Sequence, residues 1–270
     1  ADLVETQSGE TYMVYLCGRP LANRGRCTLG RETAIQPMTW SPDGWLRTTT
    51  AEGIPMEVVP APRGLTPQPH PPTRLREEFD EDTLPIAFQW LRSPWPDELF
   101  SLRERKGHLR LYGRETIGSL FRQALVARRQ QSHCYSASTI VEFEPEHFQQ
   151  MAGLVCYYNS SKFHYFYVSR DEESGKHVRV MSALPDQVTS DASTPPIAIA
   201  EGVPIELRVE VDFERLRFAY RTKGGVWQWL PQQFDASILS DEASAPGLPN
   251  FTGAFVGMAC QDLAGTATPA

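Results

Sequence analysis

The sequence contains no run approaching the ~20 apolar residues that a membrane-spanning helix needs, so a membrane is not expected as a partner. It has no cluster of lysine and arginine. Its 26 basic side chains are spread among 33 acidic ones, for a formal charge of −7, which makes nucleic acid a poor partner. A C-x-x-C pair is lacking, and the five cysteines (Cys17, Cys27, Cys134, Cys156, Cys260) are odd in number. Zinc ribbons and redox dithiols are thereby unsupported. No G-x-x-x-x-G-K, G-x-G-x-x-G, G-x-S-x-G or H-E-x-x-H occurs, which leaves phosphate cradles, a serine nucleophile elbow and a paired-histidine zinc site without an anchor. Long amphipathic helical stretches are missing as well. The start, Ala1-Asp2-Leu3-Val4-Glu5, has neither an initiator Met nor a charged-then-apolar leader. It reads as the interior of something longer, with a cytoplasmic location.

What is present fits a globular chain of 270 residues, 41% hydrophobic and 22% charged, a balance that excludes global disorder. Several cysteines sit inside apolar runs, such as Leu154-Val155-Cys156-Tyr157 and Val256-Gly257-Met258-Ala259-Cys260, where they act as small hydrophobes. Free thiols suit a reducing compartment.

Twenty-two prolines and nineteen glycines cut the chain into short segments. Ala1–Thr6 and Thr11–Leu16 flank the turn Ser8-Gly9-Glu10 and form a hairpin. Thr33–Trp40 and Trp45–Thr50 flank Ser41-Pro42-Asp43-Gly44 and form a second pair. Four short antiparallel strands in about fifty residues have the size of one propeller blade. Prolines 60, 62, 67, 69, 71 and 72 then make an extended connector. From Arg74 the pattern is all-β again. Strands are expected over Tyr135–Phe143, Met151–Tyr158, Phe163–Ser169, His177–Ser182, Ile205–Val211, Leu216–Tyr220, Val226–Leu230 and Phe255–Cys260. The alternation of Ile205–Val211 marks a strand with one wet face. That many strands imply a two-sheet β-sandwich. Short helices are expected only at Pro145–Met151 and Asp235–Asp241. The domains are therefore 1–59 (a blade), 60–73 (the connector) and 74–270 (the sandwich).

Two features could carry chemistry. Gly30-Arg31-Glu32-Thr33 puts an arginine between a Gly turn and a strand start. Its planar fork could reach hydroxyls in a cleft, or it could tie the blade together by pairing with a neighbouring Glu. Asn250-Phe251-Thr252-Gly253-Ala254-Phe255 puts a ring at a loop–strand junction after Ala245–Pro249. That ring could cap a sugar pocket, or it could pack in the core. His133-Cys134 and the acidic run Glu77–Asp82 have duller roles, as a packed or surface pair and as a solvated edge.

These stretches resemble a known family. Leu16-Cys17-Gly18-Arg19-Pro20 and Thr28-Leu29-Gly30-Arg31-Glu32-Thr33-Ala34-Ile35-Gln36 are similar to the last propeller blade of bacterial β-xylosidases of glycoside hydrolase family 43. Leu120–Arg129, Phe148–Tyr158 and Phe251–Asp262 resemble the C-terminal sandwich of the same enzymes. The resemblance implies an all-β chain, a concanavalin-like two-sheet β-sandwich preceded by one blade of a five-bladed β-propeller. It implies an inverting glycosidase that releases xylose from xylo-oligosaccharides, often with arabinofuranosidase activity. The three catalytic carboxylates, and a pocket or metal-site His, would lie upstream of Ala1, so no catalytic residue is expected in this chain, nor a metal or cofactor of its own. A divalent cation such as calcium would belong to the parent propeller. Arg31 matches the arginine that reaches the sugar hydroxyls. Phe251, in preference to Phe255, matches the ring inserted over the active-site mouth. Partners implied are the N-terminal propeller portion, the xylo-oligosaccharide and further copies of the parent as a dimer or tetramer. The loop between Arg19 and Arg31 is shorter than in typical members, and the family continues one strand beyond Pro269-Ala270. Two other readings stay open: a non-catalytic carbohydrate-binding or structural module, and an enzyme using its own Glu32 with Asp262.

Overall fold

A computed structural model of the protein describes residues 1–71, 74–185, 191–244 and 250–265, and there every element longer than three residues is a β-strand. Pro72, residues 245–249 and the terminal Pro269-Ala270 lie outside the described residues. Two compact units form: Ala1–Arg19 with Arg31–Glu77, and Pro20–Gly30 with Glu78–Ala270.

In the first unit Asp2–Glu5, Thr11–Cys17, Glu32–Trp40 and Leu46–Thr48 form a four-stranded antiparallel sheet in chain order. Both expected hairpins are there, and each turn has a glycine at positive φ, Gly9 at 76° and Gly44 at 82°. The Thr6 and Ser41 amides close the two turns on the carbonyls of Glu10 and Trp45, each at 2.9 Å. Few side chains of this sheet are buried. Tyr12 is one, and its hydroxyl donates to the Pro60 carbonyl. Gln36 is another, accepting from the Met56 amide. The start of the proline-rich segment is thus hydrogen-bonded along the sheet, and its described residues form no helix or strand. Leu3, Leu16, Trp40 and Trp45 are exposed.

The second unit stacks two antiparallel sheets. The larger runs, in spatial order, through 191–192, Gly175–Ala183, Lys162–Asp171, Gln150–Asn159, Phe255–Asp262, Ala124–Arg129 and Phe88–Trp90. The smaller runs through Gln228–Trp229, Arg215–Thr222, Ile205–Asp212 and Cys134–Val141. Ile205, Leu207, Val209 and Val211 point inward. Their alternate neighbours face solvent, with Glu206 paired to Arg221 and Glu210 to Arg217. Between the sheets Leu154, Cys156, Phe166 and Val180 meet Leu207, Val209 and Phe218 in one core, with the Phe166 and Phe218 rings 5.1 Å apart. The other face of the large sheet is covered too. There Val155, Tyr157, Phe163, Tyr165 and Tyr167 pack with Leu125, Ile117 and Ala259. This double covering explains why Gln150–Asn159 and Lys162–Asp171 are buried almost end to end.

The expected helix over 145–151 is a turn running into a strand. Its backbone carbonyls serve the neighbouring strand instead, Pro145 accepting from Arg170 and Phe148 from Ser169. Of the second expected helix only the 3₁₀ turn Ala236–Ile238 forms, capped by the Asp235 side chain accepting from the Ser237 amide.

Candidate functional site

Phe251 lies in the short stretch that leads into the strand Phe255–Asp262, and its side chain is exposed at 66%. The backbone around it is tied down on both sides. Before it, the Asn250 carboxamide accepts from Asn159 Nδ2 at 3.1 Å and donates to Ser244 Oγ. After it, the Thr252 amide donates to the Tyr158 hydroxyl at 3.3 Å. Gly253 follows at φ 79°, back to back with Gly30 at φ 69°. A methyl group on either would come within 2.8 Å of the other's main chain. The Ala254 amide donates to the Thr28 carbonyl at 2.8 Å, and its own carbonyl accepts from Gln130 at 2.9 Å. An aromatic ring exposed over most of its surface on an otherwise hydrogen-bonded segment presents apolar area that a ligand could cover. Phe255 differs. It belongs to the strand, packs beside the Tyr157 cluster and lies under the Arg129 guanidinium.

Arg31 follows the positive-φ turn at Gly30 and immediately precedes the strand Glu32–Trp40. It is half-buried. Glu32 next to it is held in a bidentate pair by Arg19, at 2.7 and 2.8 Å. Arg19 thus ties Glu32 into the sheet.

A glycosidase acid needs a raised pKa, whereas the carboxyls of Glu10, Asp43, Glu104, Glu142, Glu144 and Asp171 are displaced downward. The hydrogen bond from Arg105 does this for Glu142. Asp262 is buried, with Gln150 Nε2 and the Ala264 amide as donors. Each member of the Glu32 and Asp262 pair thus has a structural engagement. Among the described residues no three His, Cys, Asp or Glu side chains come together in a way that could hold a metal ion. Sequence reasoning missed Tyr158, Lys162 and Asp241, the buried polar cluster behind Phe251. A lysine opening the apolar run Lys162-Phe163-His164-Tyr165 was the signal available.

Residues 76–270 match the family described as the β-xylosidase C-terminal concanavalin A-like domain, and residues 1–46 match glycosyl hydrolases family 43. The chain belongs to the family of these C-terminal β-xylosidase domains, joined to a stretch of a family 43 hydrolase. It is 37% identical to a β-xylosidase of Bacillus subtilis over all of this chain and 52% of that protein. It is 39% identical to xylosidase/arabinosidase 43B of Humicola insolens, again over all of this chain and 50% of the other. Among solved structures, xylan β-1,4-xylosidase from Bacillus halodurans superposes with a TM-score of 0.92 at 40% identity, covering 99% of this chain and 50% of that one. The chain spans about half the length of the curated relatives it matches.

Proposed function

We propose that this chain is the C-terminal part of an inverting glycosidase that releases xylose from xylo-oligosaccharides, with arabinofuranosides as a second substrate class. The reading rests on two successive matches in one chain, a family 43 stretch and then the β-xylosidase domain, together with relatives that carry β-xylosidase and xylosidase/arabinosidase names. Inversion needs an acid and a base ~6.5–9.5 Å apart with a water between them. In this proposal the N-terminal propeller portion supplies that pair. This chain supplies positioning and the exclusion of water. Arg31 offers two parallel N–H donors, the geometry that suits adjacent sugar hydroxyls. Phe251 offers an exposed ring to the apolar face of a pyranose. A free-standing carbohydrate-binding sandwich is disfavoured because the outer face of the large sheet is filled by Tyr157, Phe163, Tyr165 and Tyr167, all buried.

Phe251→Ala in the full-length enzyme tests the reading. Removing an exposed ring should leave the thermal midpoint nearly unchanged, whereas a core ring would cost ~3–5 kcal/mol. On xylobiose kcat/KM should fall at least about tenfold, or ~1.4 kcal/mol of transition-state stabilisation. A lowered midpoint with unaltered kinetics contradicts the assignment.

A further inference from the structure

Lys162 begins the strand Lys162–Asp171 with its side chain fully enclosed. Its ammonium donates to the Ser240 carbonyl at 2.6 Å and to Ser244 Oγ at 3.0 Å. It stands 3.7 Å from the centroid of the Tyr158 ring, a cation–π contact. Tyr158 in turn donates its hydroxyl proton to Asp241 and accepts the Thr252 amide proton on the same oxygen. The Ser244 hydroxyl uses its two lone pairs for Lys162 and for the Asn250 carboxamide. One cation therefore stands behind both neighbours of Phe251, reaching Asn250 through Ser244 and Thr252 through Tyr158.

A buried ammonium is costly to desolvate, and removing it alone leaves its hydrogen-bond and charge partners uncompensated. Burial draws the amine down to about 8, with Asp241 and Glu242 resisting and the Arg26 charge adding to the fall. What the lysine provides is direction: three donors at a fixed point, from which two hydrogen-bonded branches run to the two residues that carry the ring.

We infer that Lys162 is a positioning residue, whose ammonium sets the direction of the Phe251 ring through Ser244–Asn250 and Tyr158–Thr252. Its consequence for catalysis rests on Phe251 being the sugar contact proposed above.

The test places 4-fluorophenylalanine at position 251 of the full-length protein and compares its fluorine resonance with and without Lys162→Met, alongside kcat/KM on xylobiose. The expected result is a folded protein with a lowered thermal midpoint, a shifted or broadened resonance and a fall of about fivefold in kcat/KM. Adding Lys162→Met to Phe251→Ala should produce no further fall, because both would act through the same ring. A folded Lys162→Met protein whose resonance does not move overturns the inference. If the resonance moves while neither Lys162→Met nor Phe251→Ala changes the kinetics, the positioning stands and the sugar-contact reading falls. Should Lys162→Met not fold, Tyr158→Phe removes the hydroxyl that accepts from Thr252 and donates to Asp241, and an unmoved resonance there overturns the inference equally.

Discussion

His164 is enclosed between Ser182 and the carbonyl of Asp235, with Nδ1 2.8 Å from Ser182 Oγ and Nε2 3.2 Å from the Asp235 oxygen. A carbonyl only accepts, so Nε2 carries a proton, and the serine hydroxyl, which can donate, serves Nδ1 when the ring is neutral. Burial then lowers its pKa to about 4, partly opposed by the Asp235 carbonyl. As pH falls from the ordinary 6.5 toward 4, the unfolded chain takes up a proton that the folded chain refuses, so the folded state loses stability at up to ~1.4 kcal/mol per pH unit. His164→Gln keeps one donor and one acceptor but cannot titrate. Urea unfolding across that window should show a shallower pH dependence in the variant, and equal slopes would exclude His164 as the cause. The cysteines can be treated in the same way. Burial pushes the thiols of Cys156 and Cys260 up to about 12, whereas Cys134 is exposed on the smaller sheet. Since the thiolate is the nucleophile, iodoacetamide at pH 8 should modify Cys134 in the folded protein. Cys156 and Cys260 should react only after unfolding, with peptide mass spectrometry as the readout.

Among the elements, the segment Pro20–Gly30 is the least obvious from sequence. It lies between two blade strands in the chain, yet it joins the unit that holds the sandwich. Leu21, Cys27 and Leu29 are buried, Arg24 pairs with Asp235 and Glu214, and the Cys27 amide donates to Glu242. The contact of Gly30 with Gly253 closes the attachment. Gly253→Ala would place a methyl 2.8 Å from the Leu29 carbonyl group at φ 79°. Strain in that region and forced overpacking together should destabilise by about 2–4 kcal/mol. Differential scanning calorimetry reads this as a lowered midpoint, and an unchanged midpoint would mean that the two glycines do not constrain one another. The turn at Gly30 itself was legible, because a Gly followed by a β-rich run is a local signal. Its partner was not, since nothing local to residue 30 points to residue 253.

For the whole molecule, the proposal separates binding groups from reacting groups. The purified 270-residue chain should give no turnover of 4-nitrophenyl β-xyloside, because an arginine and a phenylalanine cannot replace a general acid and base. Activity should appear when a separately made N-terminal portion is added and the two associate. Turnover by the chain alone, after any full-length contaminant has been removed, would contradict the division of labour. The exposed Leu3, Leu16, Trp40 and Trp45 give such association an apolar basis.

The sequence by itself determined most of the long strands and the all-β class, though not strands such as Phe88–Trp90 and Ala124–Arg129. Period-two alternation in Ile205–Val211, the glycines at 9 and 44 and the run of prolines are local physics, legible wherever side-chain period and turn chemistry act over a few residues. The quoted motifs also sufficed to place the chain in its family. Continuous apolar runs such as that through residues 151–158 announced a strand, though not that the sheet would be covered on both faces. The four apolar residues Ala124–Ala127 join that sheet beside Phe255–Asp262, a pairing that no local pattern specifies. Only the tertiary structure decided that Phe251 stays outside the core while Phe255 packs, because exposure depends on what distant strands leave uncovered. It also brought Lys162, Ser244 and Tyr158 behind that ring. Long-range packing makes that cluster, and a buried charge becomes recognisable only once the residues that desolvate and hydrogen-bond it are in place.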